Sequence, residues 1–205
     1  MNEKILSVIK QVRENAKKRN FPQTFDLVVG IKELDLKKAE NKFSEDVLLP
    51  HGRGEDAKVV VFSDSHKDVG ADVFTAEDLN SLAKNKRDAK KLVQSSDFFL
   101  AEAKLMPVVG KILGQFVGPK GKLPKLISGD LKGTVNSLKK SVRIRVKDAP
   151  VVQCKIGDEK MKDAEIAENV EAVLKFLEQK LSKGKSNIGK IFLKLTMSEP
   201  LKVEI

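Results

Sequence analysis

Lys58-Val59-Val60-Val61-Phe62 is a continuous apolar run that leads into a polar turn. Ala71-Asp72-Val73-Phe74 follows, then a helical pattern from Ala76 to about Lys91, then the apolar run Phe98-Phe99-Leu100-Ala101. Pro107 to about Phe116 and the stretch near Leu131–Lys140 read as two more helices. Strand and helix alternate through this region. That order predicts an α/β layer built on a parallel sheet, because helices must cover both faces of such strands.

The flanks read differently. Ile5, Ile9, Val12 and Ala16 recur at helical spacing, and Lys17-Lys18-Arg19 suits a helix C-terminus before Phe21-Pro22. Phe25, Leu27, Val29 and Ile31 alternate as in a half-buried strand, and Phe43 to Leu49 forms a second candidate before Pro50. Beyond the middle, a strand is expected at Val151–Ile156. A helix follows, with Ile166, Val170, Val173, Leu174, Leu177 and Leu181 on one stripe, Asp163 as its N-cap and Gly184 near its stop. Strands at Ile191–Thr196 and Leu201–Ile205 complete an α+β sandwich made from the two chain ends.

Charge divides the chain in the same places. The 205 residues carry 39 Lys and Arg against 29 Asp and Glu, a net charge of +10. Residues 1–57 hold 11 basic and 10 acidic side chains, and residues 147–205 hold the same numbers. The middle, 58–146, holds 17 against 9, and within it residues 104–146 hold ten basic side chains and only Asp130 on the acidic side. This predicts a near-neutral domain, 1–57 plus 147–205, with a basic domain, 58–146, inserted into it. Such a basic balance favours a polyanionic partner, nucleic acid before an anionic membrane.

Several classes are excluded. The 40% hydrophobic content is too high for simple disorder, and no run reaches the ~20 apolar residues of a bilayer span. The N-terminus has no apolar signal region, so a cytoplasmic protein is expected. The single cysteine, Cys154, lies in an apolar strand pattern and reads as a buried, inert thiol. One Cys and two distant His, His51 and His66, give no zinc spacing, and no metal or other cofactor is expected. The absence of Trp and Tyr argues against a generic single-strand binder, which relies on aromatic stacking.

Gly118-Pro119-Lys120-Gly121-Lys122-Leu123-Pro124-Lys125 is the densest motif. It fails as a Walker A loop, because Phe116 stands where the first glycine belongs and Leu123 where Ser or Thr is required. It matches a KH-type GxxG loop literally, and it reads equally as a solvated basic turn between helices. Pro50-His51-Gly52-Arg53-Gly54 lacks a companion nucleophile, so Gly52 and Gly54 read as a hinge rather than a catalytic site. No G-x-G-x-x-G follows the strand at 58–62, so no dinucleotide site is expected. An enzyme using the middle domain's strand ends would need a cluster of titratable groups around a pocket, and the sequence alone reveals none.

Five motifs carry a family resemblance in order. They are Leu49-Pro50-His51-Gly52-Arg53-Gly54, Asp97-Phe98-Phe99-Leu100-Ala101, Met106-Pro107, Gly118-Pro119-Lys120-Gly121-Lys122-Leu123-Pro124 and Lys194-Leu195-Thr196-Met197. Together they resemble the large-subunit ribosomal protein L-one family, closest to its archaeal branch, over essentially the whole chain. The resemblance implies a non-catalytic, ribosome-associated protein with a split α+β domain and an inserted Rossmann-like domain joined by a hinge. It also implies binding of large-subunit (23S-type) rRNA at the stalk, help in releasing deacylated exit-site tRNA, and repression through the chain's own operon mRNA. Carried over residue by residue, the specific RNA surface comprises Phe21, Thr24, Asp26, Thr196, Met197 and Ser198. Ser198 departs from the family's Thr-Met-Gly, which implies altered affinity if close backbone approach to RNA needs that glycine. Lys111, Lys120, Lys122, Lys125, Lys132, Lys139 and Lys140 are expected to add sequence-independent phosphate contacts.

Overall fold

The computed structural model describes residues 2–38, 41–66, 69–127 and 129–204. The chain divides into two compact units, Met1–Asp56 with Lys140–Ile205, and Ala57–Lys139.

The first unit contains α1 (Asn2–Asn15), β1 (Thr24–Ile31) and β2 (Phe43–Leu48) from the N-terminal part of the chain. After the insertion it continues with β7 (Ser141–Val146), β8 (Val151–Asp158), α6 (Asp163–Lys180), β9 (Ile188–Leu195) and β10 (Leu201–Val203). Four antiparallel strands make one sheet in the order β10-β9-β1-β8, and β2 pairs with β7 in a second. Alternation sets the faces. Phe25, Leu27 and Val29 of β1 are buried in one core with Ile5 and Ile9 of α1 and with Ile166, Val170 and Val173 of α6. The residues between them, Thr24, Asp26 and Val28, are half-buried on the opposite face. α1 stops at Asn15, so Lys17-Lys18-Arg19 lie beyond the helix rather than in its last turn. Arg13 accounts for the shape of this end. Its guanidinium meets Asp163 at 2.7 Å, donates to the Glu159 and Met161 carbonyls, and lies over the Phe25 ring. Asp163 is the first residue of α6 rather than its cap. The amide of the residue before it, Lys162, donates to the Glu165 carboxylate at 3.1 Å.

The second unit contains β3 (Val59–Phe62), β4 (Asp72–Phe74), β5 (Phe98–Ala101) and β6 (Lys125–Leu126), all parallel, in the order β4-β3-β5-β6. β3 and β5 are buried along their whole length, as unbroken apolar runs require. Apolar side chains cover the two faces in two clusters. One includes Val60, Phe62 and Phe99 with Leu113 of α4 (Met106–Lys120), and the other Val59, Val61 and Leu100 with Val135 of α5 (Leu131–Lys139). The helix expected over 76–91 is two helices, α2 (Ala76–Lys84) and α3 (Lys86–Ser95). Asn85 divides them: its amide closes α2 on the Leu82 carbonyl, and its side chain accepts from Arg87 N–H to cap α3. α4 runs one turn past the expected end, through Pro119. Gly121 then takes a left-handed conformation (φ 66°), its amide bonding Gly118 O while Lys122 N–H reaches Val117 O. That pair of bonds is a Schellman closure, which favours glycine at this position.

The boundary read from charge needs correcting. Residues 141–146, placed in the insertion, form β7 and pair with β2 from Phe43↔Val146 to Leu48↔Ser141. Arg143 lies opposite Asp46 and pairs with its carboxylate at 2.8 Å, both side chains largely shielded from solvent. Moving Lys140, Arg143 and Arg145 into the first unit gives it 25 basic and 20 acidic residues, leaving 14 and 9 in the second. Each unit therefore carries +5, and the charge asymmetry vanishes.

Candidate nucleic-acid interface

Register brings the two expected halves of the RNA surface together. Phe25↔Leu195 and Asp26↔Lys194 fix β1 beside β9, so Thr24 meets Thr196 at the end of the sheet. Thr24 N–H donates to Thr196 Oγ1 at 3.0 Å, and the two hydroxyls lie 3.0 Å apart. Phe21 and Met197 stand out as large apolar side chains in solvent, 48% and 59% exposed. A shallow hollow between the 19–22 segment and Glu159-Lys160 lies next to Phe21.

Gln23, absent from the sequence expectation, holds these loops. Its buried amide donates to the Lys17 carbonyl at 3.2 Å and accepts from Met197 N–H at 3.2 Å. Its backbone exchanges bonds with Glu159, whose carboxylate takes Gln23 N–H and whose N–H meets the Gln23 carbonyl. The segments at Lys17, Glu159 and Met197 thus converge on this one residue, the first and last through its side chain and Glu159 through its backbone. A glutamine next to a strand start carries no signal of that role in sequence.

Asp26 occupies the open face of the sheet, opposite Lys194 on one side and Lys155 on the other. Burial pushes its carboxyl pKa upward, opposed by the two ammonium charges and a hydrogen bond with Thr24. Lys155 also pairs with Asp158 at 2.7 Å. With Gln153 and Val28 these groups line a polar depression that offers both donors and acceptors. Lys155, Lys194 and Gln153 join the site only through strand register, which sequence spacing does not reveal.

Ser198, where the sequence departs from the family motif, is tied into the turn that follows β9. Its hydroxyl accepts Leu195 N–H at 2.8 Å, and its own N–H bonds the Leu195 carbonyl. The turn has no positive φ at this residue, so the backbone does not demand glycine.

The expected basic contacts are not one patch. Lys111 and Lys120 are exposed on α4, Lys132 is exposed on α5, and Lys125 is exposed on β6. Lys139 is half-buried at the end of α5, and exposed Lys140 belongs to the first unit. Lys122 is committed elsewhere, its ammonium donating to the Val93 and Ser96 carbonyls at the end of α3. Gly118 and Pro119 lie inside α4, and β6 rather than a helix follows, so the GxxG match lacks the helix–loop–helix setting.

Gly52 and Gly54, expected at a hinge, sit shortly before the crossing between units at 56–57. Asn169 pins this segment within the first unit by donating to the Gly52 and Ile156 carbonyls and accepting His51 N–H. At Gly54 (φ 91°) a Cβ would run into the Asp158 side chain. His51 contacts Glu168 at 2.6 Å.

One titratable cluster does exist at the strand ends of the second unit. Ser63, just after β3, donates to Glu102, just after β5, and His66 Nδ1 lies 3.4 Å from the same carboxylate. Ser63 is buried, and its oxygen takes the N–H groups of Ser65 and His66. Its proton points at Glu102, whose pKa is lowered chiefly by that bond. Ser63 Oγ also lies 3.3 Å from His66 Nδ1, but the hydroxyl is buried inside the turn it closes and is not presented to a substrate. Among the described residues no group of His, Cys, Asp or Glu forms a metal site, and no helix is long and apolar enough to cross a membrane.

The model of the family described as "Ribosomal protein L1p/L10e family" matches residues 12–199. The chain is 41% identical over 210 residues to the large ribosomal subunit protein uL1 of Pyrococcus horikoshii, covering 98% of this chain and 96% of that protein. It is 40% identical over 211 residues to the uL1 of Methanothermobacter thermautotrophicus, covering 99% and 100%. With the uL1 of Methanocaldococcus jannaschii it shares 40% over 209 residues, covering 98% and 95%.

Proposed function

This chain belongs to the ribosomal protein L1p/L10e family and is a non-enzymatic, rRNA-binding component of the large ribosomal subunit, and from that premise we propose that it recognises stalk rRNA through the end of the β10-β9-β1-β8 sheet. The supporting observation is the convergence of exposed Phe21 and Met197 with the Thr24–Thr196 pair on loops tied down by Gln23. Apolar side chains laid against RNA exclude water and strengthen the hydrogen bonds beside them. Hydroxyls and backbone groups suit the 2′-OH and sugar edge by which RNA is recognised. Asp26 supplies an acceptor for base amino groups, and Lys155 and Lys194 hold phosphates around it.

Such a surface reads a folded RNA shape rather than one molecule. The same contacts would therefore serve a stalk-like structure in the chain's own operon mRNA, and holding the stalk would assist release of deacylated tRNA from the exit site. Exposed lysines of the second unit add attraction without sequence information. The test is Phe21→Ala and Met197→Ala, each titrated with stalk rRNA and with a scrambled RNA. Each substitution is expected to cost about 1–3 kcal/mol of specific binding. The melting temperature should stay put, because both side chains are already exposed. A drop in melting temperature with affinity intact would refute the assignment.

A further inference from the structure

Five of the eight residues from Lys84 to Lys91 are basic, one is acidic, and all five cations are exposed. Lys84 ends α2, and the other four occupy the first two turns of α3. The acid, Asp88, accepts from the Asn85 side chain at 2.6 Å and lies 3.9 Å from Lys91. Beside this group, α2, α3 and α4 surround a recess of about 250 Å³. Its apolar lining includes Leu82, Ile112 and Phe116, each half-buried, and its polar lining is Lys86, Lys111 and Gln115. Helical spacing builds the wall that α4 contributes: Lys111 with Gln115 and Ile112 with Phe116 are each four residues apart and make adjacent rows. Phe62 and Phe99 stack inside the core of this unit, whereas Phe116 stands at an open recess.

We infer that this recess takes one unstacked base of a single-stranded RNA segment, whose neighbouring phosphates lie on Lys86 and Lys111. Phe116 and the aliphatic side chains beside it give the base a surface to cover. Gln115 offers the base edge a donor and an acceptor at once, and Lys90, one turn beyond Lys86, extends the cationic track. The recess is smaller than the roughly 300–1,000 Å³ of sites that enclose drug-sized ligands, which suits a single heterocycle. The apolar lining selects this occupant over duplex RNA, whose bases are stacked out of reach. The cations select it over an apolar peptide, and membership of an rRNA-binding family selects it over an acidic protein segment. Every base has a π-face, so the recess takes a base without selecting a sequence. One phenylalanine at one recess also differs from the row of aromatic platforms that a generic single-strand binder uses. The recess belongs to the second unit alone, so the failure of this assignment leaves the stalk-rRNA surface of the first unit untouched.

The test titrates the full chain with decauridylate, decaadenylate, an abasic decamer carrying the same phosphates, AMP, and a peptide of ten glutamates. Binding is read from the NMR methyl signals of Leu82 and Ile112, which report on this recess rather than on the first unit. Both oligonucleotides are expected to shift these methyls, and the abasic decamer to bind the site about fivefold more weakly or worse. Phe116→Leu should weaken binding there by about fivefold or more. Gln115→Ala, at an exposed position, should weaken it by about twofold to tenfold with the melting temperature unchanged. Lys86→Gln and Lys111→Gln should each flatten the dependence of log K on log salt by about 0.7. If Phe116→Leu lowers the melting temperature, Gln115→Ala and the two lysine variants decide. Methyls unmoved at about 1 mM oligonucleotide, an abasic decamer that binds equally well, AMP as tight as either oligonucleotide, or a tighter glutamate peptide would each overturn the inference.

Discussion

The two units carry the same net charge, +5, and use it differently. In the first, several charges are matched in place: Arg13 with Asp163, Arg143 with Asp46, Lys155 with Asp158. Its candidate RNA surface is a small area where shape, two exposed apolar side chains and a few hydrogen-bonding groups coincide. In the second, lysines are spread over α4, α5 and the β6 edge, along a stretch of sequence poor in acidic residues. Equal charge therefore gives unequal chemistry. Dispersed cations attract a polyanion without reading it, whereas arranged polar and apolar groups discriminate.

The largest effect would come from separating the units. Ala57 N–H bonds the Lys139 carbonyl at 2.9 Å, so the two crossing segments run side by side and a short Gly linker can join Asp56 to Lys140. That split unit is expected to fold and to keep most of the discrimination between stalk and random RNA, on the order of 10³-fold or more. Residues 57–139 alone should bind both RNAs weakly and alike. Retained discrimination in 57–139 would break the comparison.

Gln23→Leu probes how the specific surface is held. It removes the partner of the Met197 N–H and of the Lys17 carbonyl, and since both bonds are only part-buried and water can replace them in part, a loss of about 1 kcal/mol is expected. Calorimetry should show the stability loss, and stalk-rRNA affinity should fall with it while random-RNA affinity does not. Equal loss for both RNAs would mean that Gln23 serves only the core.

Asp26→Asn separates stability from recognition. Because burial raises the Asp26 pKa in the folded protein, its ionised form opposes folding. The native state is relieved of this penalty below the unfolded carboxylate range and bears it as pH rises through the folded value. Asn should therefore raise the melting temperature modestly at pH 7, with the gain fading as pH falls through the raised folded value and gone by about pH 4. Specific RNA affinity should drop at pH 7. A variant less stable at pH 7 would show that the Lys155 and Lys194 contacts outweigh burial.

The smallest effect concerns Lys122. As it closes the end of α3, Lys122→Gln should cost the second unit about 1 kcal/mol and leave RNA binding unchanged. Lys111→Gln, on an exposed helix face, should do the reverse: no change in melting, and a shallower salt dependence of RNA binding, by about 0.7–0.9 for each phosphate that is no longer neutralised.

Local pattern alone determined much of this molecule. The unbroken runs at 59–62 and 98–101 dictated buried parallel strands, and the alternation of Phe25, Leu27, Val29 and Ile31 dictated a strand with one face in a core. The stripe from Ile166 to Leu177 dictated α6, because each pattern follows the period of its own element. The alternation of Ser141 to Val146 was equally present. Grouping its arginines by charge hid its membership of the first unit, since pairing with β2 joins residues about a hundred positions apart. The break at Asn85 turned on a side-chain cap that spacing does not encode. The family resemblance, rather than any local pattern, pointed to Phe21, Thr196 and Met197. Gln23, Lys155 and Lys194 acquired a role only from register and from hydrogen bonds between distant segments. The same holds for the commitment of Lys122 to α3, which a tally of basic residues cannot reveal. Periodicity is a property of neighbours along the chain, whereas what a polar side chain does depends on which groups the fold brings within about 3 Å of it.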